Sequence, residues 1–107
     1  MNDSSAIHPG ALNGAASVIK VIGHPLRLRL LEAMEAGERT VTELQDATGA
    51  SQSMVSQQLG VLRGRGVVDA RREGTHVYYR ITEPKVHRIL ACIRECDMAG
   101  HVPGRSA

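Results

Sequence analysis

The 107-residue sequence predicts a mainly α fold with one β-hairpin: four helices, a two-stranded hairpin and a fifth helix. Three observations predict it. Apolar residues recur at helical spacing in successive stretches up to about residue 62; the period then drops to two between residues 67 and 81; helical spacing returns after Pro84. With no Trp, no Phe and two Tyr, the core must be built from Leu, Ile, Val, Met and Ala. That length suits one domain, and one so small gains from self-association. We expect flexible tails at residues 1–10 and 99–107 around a domain spanning residues 11–98.

Ala11, Ala15, Val18 and Ile22 recur at spacings of four, three and four, an amphipathic helix ending at Gly23. His24-Pro25 restarts the chain, with Pro at a plausible first helical position. Leu28, Leu31 and Met34 carry the stripe on to Gly37. Thr40-Val41-Thr42-Glu43 fits a capping box, in which hydroxyl and carboxylate each bond the other residue's amide. A short helix follows and stops at Gly49, a natural left-handed cap. Ser51 starts the next, with Val55, Leu59 and Leu62 inward and Gly64 and Gly66 ending it. The Val67–Arg71 run then reads as a strand, and Val77, Tyr79 and Ile81 alternate with His76, Tyr78 and Arg80 in a second. Arg72-Glu73-Gly74-Thr75 forms the tip between them. Thr82-Glu83-Pro84 opens the last helix, with Val86, Ile89, Leu90 and Ile93 as its apolar stripe.

A short helix, a glycine-containing turn and a longer polar-faced helix make a helix-turn-helix, and the hairpin directly behind it stands where a wing would. The expected architecture is a winged helix-turn-helix. Charge is unevenly distributed along it. Residues 51–82 carry five arginines against Asp69 and Glu73, whereas residues 32–46 carry five acids against Arg39 alone. One end could meet phosphate while the other repels it. Arginines also simply solvate hairpins, so the charge alone decides little. The segment Ser51 to Gln58 adds more, because a solvated helix face usually carries Glu and Lys, and neither occurs between Ser51 and Leu62. Hydroxyls and amides there can bond base edges and phosphates without desolvating a large charge. This is the candidate recognition helix. Gln52, Ser53, Ser56 and Gln57 are its candidate base contacts; Arg63, Arg71, Arg72 and Thr75 are candidate phosphate or minor-groove contacts.

The runs His24-Pro25-Leu26-Arg27, Val41-Thr42-Glu43-Leu44, Ser51 to Leu59, Val61-Leu62-Arg63, Gly66-Val67-Val68 and Arg72 to Arg80 together resemble the ArsR/SmtB winged-helix repressors of bacteria over roughly residues 12–98. The resemblance implies a homodimer built on the first and last helices, binding an inverted-repeat operator on double-stranded DNA. It implies repression relieved by a metal or by thiol chemistry. A dimer would set its recognition helices about one turn of DNA apart.

The sensing residues depart from that pattern. Metal-sensing relatives carry a Cys-x-Cys pair on the first helix of the motif, where this chain has Thr40-Val41-Thr42, and hydroxyls do not replace thiolates toward soft metals. Zinc and nickel sensors use an Asp-x-His…His-x-x-His/Glu set, matched here by Lys85, His87, Met98 and His101, so two ligands remain and a cation replaces Asp. Neither metal is expected there, and no role follows for His8, His87 or His101. Cys92 and Cys96 are left, on one flank of the final helix, with His87 on nearly the opposite face. Free cysteines often pack as small hydrophobes at a dimer seam. Two functional uses compete with that reading. In the first, an oxidant or reactive sulfur modifies the thiols; Cα atoms four residues apart on a helix lie about 6 Å from each other, near the upper end of the disulfide range, and a bridge with extra sulfur would span them better. Relatives of this kind pair a final-helix cysteine with one on the second helix, where Glu32 stands here. In the second, the thiols bind a soft metal or an arsenite-type metalloid as inducer, with the partner protomer completing the ligands.

No cofactor is required by any of these readings. No apolar run approaches the roughly 20 residues that span a bilayer, and the start lacks a signal peptide's pattern, so a soluble cytoplasmic protein without membrane partners is expected. Two cysteines exclude a secreted disulfide scaffold. No phosphate loop, Ser/His/Asp order or Cys-x-x-Cys appears, so an enzyme is not expected. A winged-helix protein–protein interaction module without DNA binding is the alternative of another class.

Overall fold

Two His-Pro pairs set the first two helices. In each, Pro occupies the first helical turn and the preceding imidazole caps it: His8 Nδ1 accepts from the Gly10 amide at 2.9 Å, and His24 Nδ1 from the Leu26 amide at 3.1 Å. The structure, a computed structural model, describes residues 6–99, with side chains through residue 96. Its elements are α1 (Pro9–Ile22), α2 (Pro25–Ala33), β1 (Arg39–Thr40), α3 (Val41–Thr48), α4 (Gln52–Gly64), β2 (Val68–Glu73), β3 (His76–Ile81) and α5 (Pro84–Ala99). The five helices are as expected, but α1 begins at Pro9, inside the segment assigned to the tail, because His8-Pro9 caps it as His24-Pro25 caps α2. At the other end α5 runs through Ala99; the rest of the expected C-terminal tail lies outside the described residues.

The capping box at α3 is complete. Glu43 N donates to Thr40 Oγ1 at 3.2 Å and Thr40 N donates to Glu43 Oε1 at 2.9 Å. Gly49, at φ +76°, ends the helix in the left-handed region. Ser51 Oγ then accepts from Met54 N at 3.2 Å and starts α4.

The expected hairpin wing forms as β2 and β3, and a further short strand extends it: the sheet has three antiparallel strands in the order β1-β3-β2. Arg39 and Thr40 pair with Tyr79 and Tyr78, adding a two-residue strand along β3. Two residues are too short to show alternation, and their partners lie far along the chain, so no local pattern marks them. The turn is tighter than expected too. Arg72 and Glu73 are paired with Val77 and His76, which leaves Gly74-Thr75 as a two-residue loop with Gly74 at φ +62°.

The core is aliphatic throughout. Val18, Ile22, Leu30, Leu31, Met34, Leu44, Val55, Leu59, Leu62, Val67, Val68, Val86 and Leu90 are buried, with Tyr79 and Ile81 packed against them. On α2 the deepest leucines are Leu30 and Leu31; Leu28, expected in the stripe, is half-buried and lines a groove toward α5. Ile93, also expected inside, is exposed on α5. Thr82 closes the hairpin base, its amide donating to the Val67 carbonyl at 2.9 Å and its hydroxyl to the Gly66 carbonyl at 3.2 Å.

Candidate nucleic-acid interface and thiol pair

Helix α4 turns Val55, Leu59 and Leu62 into the core, so residues on its far side are committed to solvent. Gln52, Ser53, Ser56 and Gln57 are all exposed there. Gln58, one position further, is not available: its Oε1 accepts from Arg27 Nε at 2.6 Å, while Arg27 Nη1 donates to the Val21 carbonyl at 2.7 Å. One arginine of α2 thus fixes α4 against the end of α1. Met54 was not among the expected contacts, yet it is 50% exposed beside the polar face. Its apolar character hid it, since nothing in the sequence distinguishes an outward methionine from a core one.

The wing arginines divide into two kinds. Arg72 and Thr75 are exposed at and beside the tip, and Arg72 has no carboxylate partner among the described residues. Arg71 is engaged: it donates to Glu38 from Nε (3.0 and 3.2 Å) and Nη2 (2.6 Å), donates to Glu73 from Nη1 (2.7 Å), and lies 4.9 Å over the Tyr78 ring. The expectation of a phosphate contact at Arg71 is revised accordingly. Its charge is taken up by two carboxylates, and Glu38 reaches it because β1 lays residues 39 and 40 along β3. Hydrogen bonds from Arg71 hold the Glu38 carboxyl below the usual glutamate range, and those carboxylates push Arg71 further up. Acidic and basic segments therefore meet partway along the wing hairpin and are not confined to opposite ends of the molecule. Arg63 makes a looser pair, 3.7 Å from Asp69 with both side chains more than half exposed.

Cys92 and Cys96 are exposed free thiols on α5. Between them in sequence, Arg94 turns toward α2, with Nη2 2.7 Å from Glu35 and 3.6 Å from Glu32. The hydrogen bond to Glu35, with Glu32 behind it, raises the Arg94 guanidinium above its ordinary range. An ion cluster thus stands at the α2–α5 contact, with Glu32 in it. His87 is exposed, His8 caps α1, and His101 lies outside the described residues. Among the described residues no group of three or more His, Cys, Asp or Glu could hold a metal ion, and no helix is long and apolar enough to cross a membrane.

A profile described as "Bacterial regulatory protein, arsR family" matches residues 24–70, from the start of α2 into β2. The biofilm growth-associated repressor of Xylella fastidiosa is 41% identical over 78 residues, covering 73% of this chain and 68% of that protein. The chain belongs to the ArsR family. Two solved ArsR-like structures extend the likeness to the whole fold. The transcriptional repressor BigR from Xylella fastidiosa superposes with a TM-score of 0.76 at 35% identity, covering 87% of this chain and 93% of that one. A homodimeric winged helix-turn-helix DNA-binding domain from Mycobacterium bovis, a possible ArsR-family regulator, gives a TM-score of 0.70 at 33% identity over 96% of this chain and 94% of that one. This ArsR-family chain is a winged helix-turn-helix DNA-binding transcriptional repressor, and its relatives form a non-enzymatic family of regulators.

Proposed function

We propose that the protein binds an inverted-repeat operator as a homodimer and is released from it by thiol chemistry at Cys92 and Cys96. The uncharged, exposed face of α4 supports DNA reading, with Gln52, Ser53, Ser56 and Gln57 toward bases and Arg63, Arg72 and Thr75 toward phosphates or the minor groove. Arg71 belongs to the wing's own structure in this reading. The Mycobacterium bovis homodimer supports the dimer, as do Leu12 and Ile19 on α1 and Ile93 on α5, large apolar side chains each about half exposed in the single chain.

One observation carries the thiol reading: both cysteines are exposed, four residues apart on the same helix as Ile93, so both are open to a reagent and both stand where a dimer would feel the change. Hydrogen peroxide would take two protons and two electrons from the thiols as its O–O bond breaks, leaving a disulfide and two waters. An inorganic polysulfide of three or more sulfurs, attacked by the two thiols in turn, would lose two hydrogen sulfides as its own S–S bonds break and leave a bridge with added sulfur, which fits the helical spacing better. Either product shifts the population toward dimers whose recognition helices no longer match the operator spacing. The same exposed pair favours, as a second reading, a soft metal or arsenite-type metalloid bound with help from the partner protomer.

Intact mass and operator binding, measured on one reduced sample and again after peroxide, polysulfide and arsenite separately, decide between them. Release with a covalent mass gain, or with loss of two hydrogens, supports the thiol switch. Release with a reversibly bound ion supports the metalloid. A Cys92→Ser/Cys96→Ser protein should stay on DNA throughout; if it releases as the wild type does, the cysteines do not carry the signal.

A further inference from the structure

Beside the polar face of α4 runs a groove that none of the expected contacts describes. Ser17, Lys20 and Val21 of α1, Arg27 of α2, Val61 of α4 and Arg65 at the α4 C-cap line it, so three cations from three separate places converge with no carboxylate in the lining. Three positive charges facing one space repel one another unless an anion joins them. Cations near helix C-termini also offset carbonyl partial charge, which is a sufficient reason for any one of them alone. Arg27 meets that demand directly through the Val21 carbonyl and is held by Gln58. Lys20 and Arg65 are exposed and have no carboxylate partner among the described residues. The one acid nearby, Glu83, lines the adjoining groove across Arg65 and Val67 and stands 3.8 Å from Lys85.

We propose that this groove binds a phosphate group, supplied by the DNA strand that flanks the major groove entered by α4. The inference rests on the reading of α4 as the DNA-entering helix. Val61 follows Gln57 by about 6 Å along the helix and about 40° around it, so the groove begins on the shoulder of the base-reading face. The major groove is about 12 Å wide and walled by phosphates, so a strand passing that shoulder lies within reach of a lysine and an arginine. Lys20 and Arg65 bind the phosphate; Arg27 keeps the groove's two walls together.

The test is a Lys20→Ala/Arg65→Ala protein, with Arg27 left intact and helical content checked by circular dichroism. Its affinity should fall equally on operator and random duplex, and the slope of log affinity against log salt should flatten by roughly two for each protomer, about one for each lost cation. A Lys20→Arg/Arg65→Lys protein should recover the wild-type slope. In a second arm, inorganic phosphate and pyrophosphate are added to DNA-free protein. If they raise the melting temperature of the wild type but not of the double variant, while the salt slope is unchanged, the groove takes phosphate from a free anion and the DNA source is wrong. No change in either arm overturns the phosphate site. If wild-type protein does not bind duplex at all, the reading of α4 fails separately, and the anion arm still decides the groove.

Discussion

Arg71 and Arg72 are neighbours in the chain with opposite assignments, and the difference is one of partners. Alternation on β2 puts Arg71 on the sheet face that carries Tyr78, opposite Glu38, and sends Arg72 to the other face near the tip. Arg72→Ala should therefore weaken binding on every duplex and flatten the salt slope, whereas Gln57→Ala should relax preference at one base pair by about 1–3 kcal/mol with the slope unchanged. Matched salt titrations on specific and random duplexes separate the two. Glu38 carries a pH signature. Its carboxyl is held down by Arg71, so its contribution to stability is present in full above the ordinary glutamate range and is lost as pH falls through the lower folded value. Carboxyl-carbon NMR should place the Glu38 midpoint below that of a free glutamate, and Arg71→Ala should move it back up. An unmoved midpoint would mean the contact is absent in solution.

At the scale of elements, what could be read was local. Thr40 with Glu43, Gly49 and Ser51 act within three or four residues of themselves, so α3, the turn and the start of α4 were legible in full. β1 was not, because two residues have no period, and Glu38 meets Arg71 at 33 positions' remove. The candidate contacts of α4 were legible as a face without charge, but Gln58's engagement with Arg27 and the exposure of Met54 depend on which azimuth meets α2. The basic groove was beyond local reading for the same reason, since its cations come from separate elements. In the interior of α4, Gly60 works against the helix. A Cβ at Gly60 would meet nothing within 4 Å, so the glycine there costs backbone entropy without any packing return. Gly60→Ala should raise stability by about 0.5–1 kcal/mol, read from urea denaturation at unchanged m.

For the whole molecule, the apolar side chains that α1 and α5 leave outside are the quantity that association would remove. Leu12 and Ile19 together with Ile93 are exposed in a domain whose core has no aromatic ring to spare. Leu12→Asp/Ile19→Asp should convert a species of twice the chain mass into one of the chain mass in sedimentation equilibrium, with operator affinity lost alongside. If the mass stays doubled, the dimer uses another face.

The molecule's only two tyrosines are adjacent on β3, and there is no tryptophan to outshine them. Near-ultraviolet absorbance, circular dichroism and tyrosine emission of the native protein therefore come from the wing, with phenylalanine also lacking. One of the two rings lies beneath the Arg71 guanidinium and the other packs against the core. The unlabelled repressor thus carries its own optical probe of the wing, and a stopped-flow trace of tyrosine emission taken during DNA binding would follow that hairpin.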